Sequence, residues 1–564
     1  MSAKDMLVGN MDFASLCMPT VPWSTAERKM TFYPAHKKMP IVTAAIMGLQ
    51  HAFAMLGGLI TPPYVVMRFA VGGFPFKNVD QQQYAIACAL IVSGLCTIMN
   101  CIQIPLPMGY KLGTGVLSVV GTSFTFLPIF EAAIQLMKAD GESGSDAYGR
   151  MLGTIMVCSF LEIFLSFIPP AQLKKAFPPI VSGVTVMLIG AALTGTGMKY
   201  WGGGAVCADM AWKTHGQLIG KGVSPVPSPG CTAGEVTLNF GSPQWVGLGF
   251  SVLCMLLLVE LFGSPFMKNC NVVIALLFGY MIAGVSQYCD GEGYNYKCLD
   301  YVTEDKIKSA DDATFMWVET FDIGFYGPAV FPVLIAFIVT TVETIGDIRA
   351  TYDASGLELD TDEYSSSIQG GLLSDGVCSF FSAIATSMPN TTFSQNNGVI
   401  TMTKCASRYA GVACGCWLIF MGVIAKISGI ISSIPDAVIG GMTTFLFCNV
   451  FVSGLSVIAN GVDLTSRRNR FILAVSLGIG LGVAMVPYIF ADFRASSYTA
   501  EFWPCTDCSD GDKGLRNGII IFLSTPYCIG CALSMLLHFI LPQDPIIVTE
   551  EEEEEGPSKG EDTA

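Results

Sequence analysis

Residues 389–404 gather amide and hydroxyl side chains inside an apolar run: Asn390, Thr391, Thr392, Ser394, Gln395, Asn396, Asn397, Thr401 and Thr403. Lipid cannot solvate such groups, so they must face protein or a polar cavity. Upstream, Glu343 and Asp347 stand four apart and share one helix face. A carboxylate at membrane depth marks an ion, proton or substrate path, and burial favours the protonated form of a carboxyl, as a proton-coupled carrier needs. Asp347 could instead pair with Arg349 as a structural anchor. Gln50 and His51 interrupt another apolar run. Such a histidine can be a packing residue or a proton carrier, with its polar partner in the segment near 116 or near 395. These residue types suit hydrogen-bonded recognition of a polar ligand together with proton movement. The histidines, His36, His51, His215 and His538, are scattered and supply no nucleophile–base pair or metal cluster, which argues against an enzyme.

The elements that must position these groups are short. Pro389 blocks helix before it, Asn390 to Ser394 reads as extended, and Gln395 opens a short helix. A helix start at membrane depth leaves free N–H groups and a positive dipole end aimed at the cavity. Secondary transporters build midplane sites from such half-helices. The other reading is a polar kink packed against its neighbours. A second segment, residues 110–128, is broken by Gly and Pro in the same way. Counting from Pro328 at ~1.5 Å per residue puts Glu343 past the bilayer midplane unless its helix is tilted or starts later.

The chain has 564 residues, 52% of them hydrophobic and only 13% charged, with a mean hydropathy of +0.54. A soluble chain would carry about a quarter charged residues. The expected class is therefore an all-α polytopic membrane protein. Candidate spans begin near Ile41, Tyr84, Val116, Met151, Pro178, Val246, Val272, Ala329, Gly370, Gln395, Tyr409, Ala437, Phe471 and Gly518, fourteen in all. The weak spans are the third and tenth, each third in its half of seven, as inverted repeats require. A channel would spread polar residues along several helices; here they concentrate at one depth. The net charge of −15 owes part of its value to the run 550–555, which reads as a solvated tail, and no basic cluster suggests nucleic acid. The first forty residues hold no apolar core of a cleaved signal peptide.

Basic clusters orient the chain. Arg28, Lys29, Lys37 and Lys38 precede the first span, Lys174 and Lys175 follow the fourth, and Arg467, Arg468 and Arg470 follow the twelfth. All fall on the cytoplasmic side if the N-terminus is inside. The outer loops then carry Cys207 with Cys231, Cys289 with Cys298, and Cys505 with Cys508, as disulfides or free thiols. Cys505, Cys508, Cys528 and Cys531 have zinc-site spacing, but the second pair lies in the apolar run 518–541, across a compartment boundary from the first; no metal is expected. Asn390-Thr391-Thr392 spells a glycosylation acceptor that membrane depth should hide.

Gln395-Asn396-Asn397-Gly398 with Thr403 and Lys404 resembles the signature of the nucleobase–ascorbate transporter family: Gln, Glu or Pro, then Asn-x-Gly, a variable run, Thr, and Arg, Lys or Gly. Thr401 and Lys404 are permitted variants. Gln50-His51, Thr122-Ser123-Phe124, Phe177-Pro178-Pro179-Ile180, Glu343 to Asp347 and the Gly440-Gly441-Met442-Thr443 stretch also stand where the family has them. The resemblance implies two inverted seven-span repeats. A core domain (41–173 and 326–432) would move against a gate domain (174–325 and 433–541) in an elevator-type mechanism, in a homodimer. Residues 1–40 and 542–564 would be cytoplasmic tails, the second acidic and disordered. Short strands in spans three and ten would face each other at midplane. Gln395 and Glu343 would bond the substrate, joined by backbone N–H groups of Phe124 and Ser394 and by Ser123. Asp347 would couple protons, and Asn396, Asn397, Gly398, Thr403, His51 and Gln50 would brace the site. Gln at 395, rather than Pro or Glu, resembles the xanthine–urate branch over the ascorbate and uracil ones. The amide both donates and accepts towards an oxopurine edge. A proton would be the co-substrate, the plasma membrane the location, and no cofactor is implied.

Overall fold

The computed structural model describes residues 16–19, 32–70, 79–170, 172–173, 178–204, 208, 238, 240–289, 298–302, 321–359, 361–486, 489 and 509–543. Within them the chain is mostly helical. The first half holds α1 (Ile41–Ala70), α2 (Val79–Ile102), α3 (Leu127–Ala139), α4 (Gly144–Cys158), α5 (Phe160–Leu165), α6 (Pro179–Trp201), α7 (Pro243–Phe262), α8 (Pro265–Asn269) and α9 (Asn271–Val285). The second half holds α10 (Val330–Ser355), α11 (Asp362–Ile384), α12 (Gln395–Thr403), α13 (Arg408–Val423), α14 (Ala425–Ser433), α15 (Asp436–Gly461), α16 (Arg467–Met485), α17 (Asp510–Ser524) and α18 (Pro526–Ile540). Local sequence sets many of the starts. Pro179, Pro243 and Pro526 open α6, α7 and α18, where a missing N–H loses nothing. Ser143, Thr361 and Ser466 accept from backbone N–H groups three residues on, capping α4, α11 and α16.

Eight described helices are long and apolar enough to cross a bilayer, and ten if each of two bent pairs is one span. Continuous helices thus account for fewer segments than the fourteen expected. The third and tenth segments are strands that run into short helices, the ninth (α11) is too polar to count, and α9 is short. The α17–α18 pair bends by 83° where Pro526 removes a helical N–H.

Helices approach closely where glycines face them. Gly183 and Gly190 on α6 lie against Ile458 and Phe451 of α15, and Gly454 of α15 against Met187. A side chain at these positions would collide with the partner, the small-residue device of membrane packing. α2 and α13 meet in the same manner at Gly94 and Gly415. α7, α9, α16 and α18 join the α6–α15 pair, while α1, α4, α5, α10 and α11 gather with α2 and α13.

Three two-stranded antiparallel ladders complete the fold. Ile104–Pro105 (β1) pairs with Lys111–Leu112 (β2), and Gln287–Cys289 (β4) with Cys298–Asp300 (β5). Val120–Thr122 (β3) pairs with Asn390–Thr392 (β6) in the register Val120↔Thr392, Gly121↔Thr391, Thr122↔Asn390. Strand edges inside a membrane need partners, and both edges of this last ladder have them. Thr97 Oγ1 donates to Val120 O (3.1 Å) and accepts from Val120 N (3.0 Å). Ser379 Oγ donates to Asn390 O at 3.0 Å.

Candidate functional site

The β3–β6 ladder sets two helix starts near each other. Each strand is followed after a few residues by a short helix, β3 by α3 and β6 by α12. Antiparallel pairing sends the two helices off opposite ends of the ladder. Among the described residues, the backbone N–H groups of Phe124, Ser394 and Gln395 have no backbone acceptor. They are therefore open donors at two dipole ends. The rings of Phe124 and Phe393 lie nearly parallel (6°) with centroids 6.4 Å apart, and Phe447 of α15 packs edge-on to Phe124 at 5.3 Å.

α1 is fastened to the ladder through its prolines. Pro63 has no N–H to give the Leu59 carbonyl, and Thr122 Oγ1 donates to that carbonyl instead at 2.7 Å. This brings His51 of α1 within reach of α12. Asn396 Nδ2 lies 3.0 Å from His51 Nδ1 and donates to His51 O at 3.2 Å. His51 is buried, and its Nε2 has no partner among the described residues.

α10 carries the paired acids. It begins at Val330 after a short 3-10 turn at Gly327–Ala329. Glu343 Oε2 accepts from Thr125 Oγ1 at 3.3 Å, next to the α3 start, and Asp347 Oδ2 accepts from Thr392 Oγ1 of the strand at 2.8 Å. Arg349 is exposed and forms no ion pair with Asp347 among the described residues. Asn397 braces this helix, accepting from Thr351 Oγ1 at 2.7 Å and donating to Asp347 O at 3.4 Å.

The remaining expected residues divide. Ser394 and Gly398 are exposed and Gln395 is half-buried, so α12 opens its first turn to an accessible space. Ser123 is buried, and its hydroxyl accepts from Thr125 N at 3.3 Å. Gln50 turns away from the ladder and accepts from Asn269 of α8 at 3.0 Å. Thr403 Oγ1 donates within its own helix, to Val399 O at 2.7 Å. Of the cysteines, Cys298 is disulfide-bonded, and Cys289 stands opposite it in the β4–β5 ladder. Cys207, Cys231, Cys505 and Cys508 lie outside the described residues, as do Lys174, Lys175 and the acidic run 550–555. Among the described residues no group of His, Cys, Asp or Glu could hold a metal.

Sequence reasoning gives Asp375, Glu162, Glu260 and Lys426 no constellation and reads each as structural or interfacial; the fold gives two of them, Glu162 and Asp375, a place beside the site. Asp375 Oδ2 accepts from Thr344 (2.6 Å) and Thr391 (3.1 Å), so it lies directly behind the ladder. Glu162 Oε1 accepts from Thr340 (3.1 Å) and Thr341 (3.3 Å) on α10. No spacing rule relates positions on different helices, so only the fold could join them.

A family model described as a permease family matches residues 43–227 and 217–489. A uric acid-xanthine permease of Emericella nidulans is 38% identical over 96% of this chain and 89% of its own length. A xanthine permease of Escherichia coli is 28% identical, over 89% and 92% respectively. The solved transmembrane domain of a cyanobacterial bicarbonate transporter superposes with a TM-score of 0.48 at 13% identity, covering 80% of this chain and 98% of that one. The sequence relatives are permeases, not enzymes. With its ladder, half-helices and signature residues in hand, the chain belongs to the nucleobase–ascorbate transporter family, on its xanthine–uric acid permease side.

Proposed function

We propose that this protein is a proton-coupled carrier that brings xanthine, uric acid or both across the plasma membrane. The observation that carries the reading is the paired helix starts on the β3–β6 ladder, with Glu343 and Asp347 bonded to residues beside them. Open N–H donors, the Gln395 amide and the Glu343 carboxylate together match the alternating acceptors and donors of an oxopurine edge. The near-parallel Phe124 and Phe393 rings offer flat apolar faces to a planar base. Names of relatives support the substrate class: a uric acid-xanthine permease and a xanthine permease.

In this reading the chain forms fourteen segments as two inverted repeats, with both termini cytoplasmic, and works as a homodimer. The assembly around α1, α2 and α10 is the moving core, and the α6–α15 assembly is the gate. Exposed Lys37, Lys38, Arg467 and Arg470 then sit on the inner face.

Uptake of labelled xanthine into proteoliposomes, with and without an imposed pH gradient, tests it. Accumulation that needs the gradient supports a proton-coupled carrier. Flux that merely equilibrates would point to a channel. Competition by urate, uracil and ascorbate in cells lacking their own purine carriers fixes the substrate; preference for uracil or ascorbate would overturn the oxopurine assignment.

A further inference from the structure

Two carboxyl groups that the substrate site does not use meet behind it. Glu162 of α5 and Asp375 of α11 both reach α10 from behind the ladder, through Thr340, Thr341 and Thr344, lie close enough to act on one another, and are 0% and 1% exposed. One oxygen of each takes threonine hydroxyls, as described above. The other oxygens, Glu162 Oε2 and Asp375 Oδ1, are buried without any donor among the described residues. Among the described residues neither acid has an ion-pair partner. Two ionised carboxylates in contact in a dry interior would repel, with nothing to offset their desolvation. A proton held between them removes the repulsion and supplies the donor that both orphan oxygens lack.

A chain of hydroxyls leads from this pair to the substrate site. Asp375 Oδ2 accepts from Thr344 Oγ1 at 2.6 Å. Thr344 Oγ1 lies 3.2 Å from Thr392 Oγ1, and Thr392 Oγ1 donates to Asp347 Oδ2 at 2.8 Å. Every link is within hydrogen-bond reach, and every intermediate atom can both donate and accept.

We propose that Glu162 and Asp375 form a proton-holding pair, wired through Thr344 and Thr392 to Asp347, that takes up and returns the transported proton in each cycle. The proposal rests on the proton-coupled reading above. The transfer balances. Protonated Asp347 gives its proton to Thr392 Oγ1, Thr392 passes its own to Thr344, and Thr344 passes its own to Asp375. Asp347 is left ionised, the threonines are unchanged but turned, and the pair goes from one proton to two. Among the described residues, the titratable neighbours that face the pair are Asp347 and Glu343 on α10 and Cys378 on α11, none of them basic. The pair therefore never empties fully, and it stores a proton without placing net positive charge in the core.

Infrared spectroscopy and uptake test this together on the full-length transporter. The shared proton gives a protonated-carboxyl C=O band at neutral pH that is lost in Glu162→Gln. That variant should keep its KM for xanthine within about threefold of wild type, yet lose both accumulation and the rise of uptake as outside pH falls. Thr344→Val should show the same transport loss with the band retained, and Thr344→Ser should restore coupling. If Glu162→Gln fails to reach the membrane, the Thr344 variants decide the matter. A band unchanged in Glu162→Gln overturns the shared proton, and normal pH dependence in Thr344→Val overturns the wire. Wild-type uptake indifferent to pH would instead overturn the proton-coupled reading, while the infrared band still reports on the pair.

Discussion

Gln395 stands at the first turn of α12, half-buried and flanked by exposed Ser394. Removing its amide should raise the KM for xanthine while surface expression persists. A lost hydrogen bond in a site that desolvates its partners costs ~1–3 kcal/mol, or roughly five- to 150-fold. Competition uptake normalised to surface protein measures it, and an unchanged KM sinks the role. Gln395→Glu keeps acceptors and loses the donor, so preference should move towards uracil-like bases. Asp347 is the second residue to test. On the proton-coupled reading, its protonation from outside accompanies inward transport, so wild-type uptake should rise as outside pH falls. Asp347→Asn imitates the protonated form at every pH. It should bind purine with near-normal affinity, lose the pH response and cease to accumulate substrate, whereas Glu343→Gln should weaken binding itself. Wild-type accumulation by Asp347→Asn would move the proton site elsewhere. Both residues were legible in the sequence because an acid or amide inside an apolar run has few explanations. Glu162 and Asp375 were visible too, but only as isolated acids. Their meaning lies in their contact, and that is a property of packing.

The element that organises the site is the β3–β6 ladder. Its existence was foreshadowed by Pro389 and by the Gly and Pro breaks in 110–128, because neither stretch could be continuous helix. Its register was not. Three residues per strand carry too little pattern to fix pairing, and the partners on its edges, Thr97 and Ser379, come from helices elsewhere in the chain. The joint between Thr122 and the Leu59 carbonyl gives a clean test. Thr122→Val leaves that carbonyl unsatisfied and should destabilise the protein by about 1–3 kcal/mol, read as a lower unfolding midpoint in detergent. Pro63→Ala restores the N–H that the proline lacks. The double variant should therefore recover most of the loss. Additive losses would show that the hydroxyl matters for some other reason.

At the scale of the whole molecule, α1 reaches across to α15. Tyr64 OH donates to Asp436 Oδ1 at 2.5 Å, and Arg68 pairs with the same oxygen. The many-span class was plain from composition, but which helices assemble with which was not, since glycine-faced contacts such as Gly94 with Gly415 need both partners in view. The loop cysteines, outer ones if the N-terminus is inside, make a prediction here. Mass spectrometry of unreduced peptides should find Cys289 joined to Cys298 and Cys207 joined to Cys231. Quantitative labelling of these four by a membrane-impermeant thiol reagent on intact cells would overturn the bridges. A last consequence follows from Asn390, which is 0% exposed and locked into the ladder with Thr391 and Thr392. A finished molecule hides this acceptor from oligosaccharyltransferase, so only a chain whose ladder never closed can be modified there. In a eukaryotic host a sugar on Asn390 is then a stamp of failed assembly. The endoglycosidase-sensitive band on a gel measures the defective fraction directly: absent for the wild type, and expected to grow for Thr122→Val.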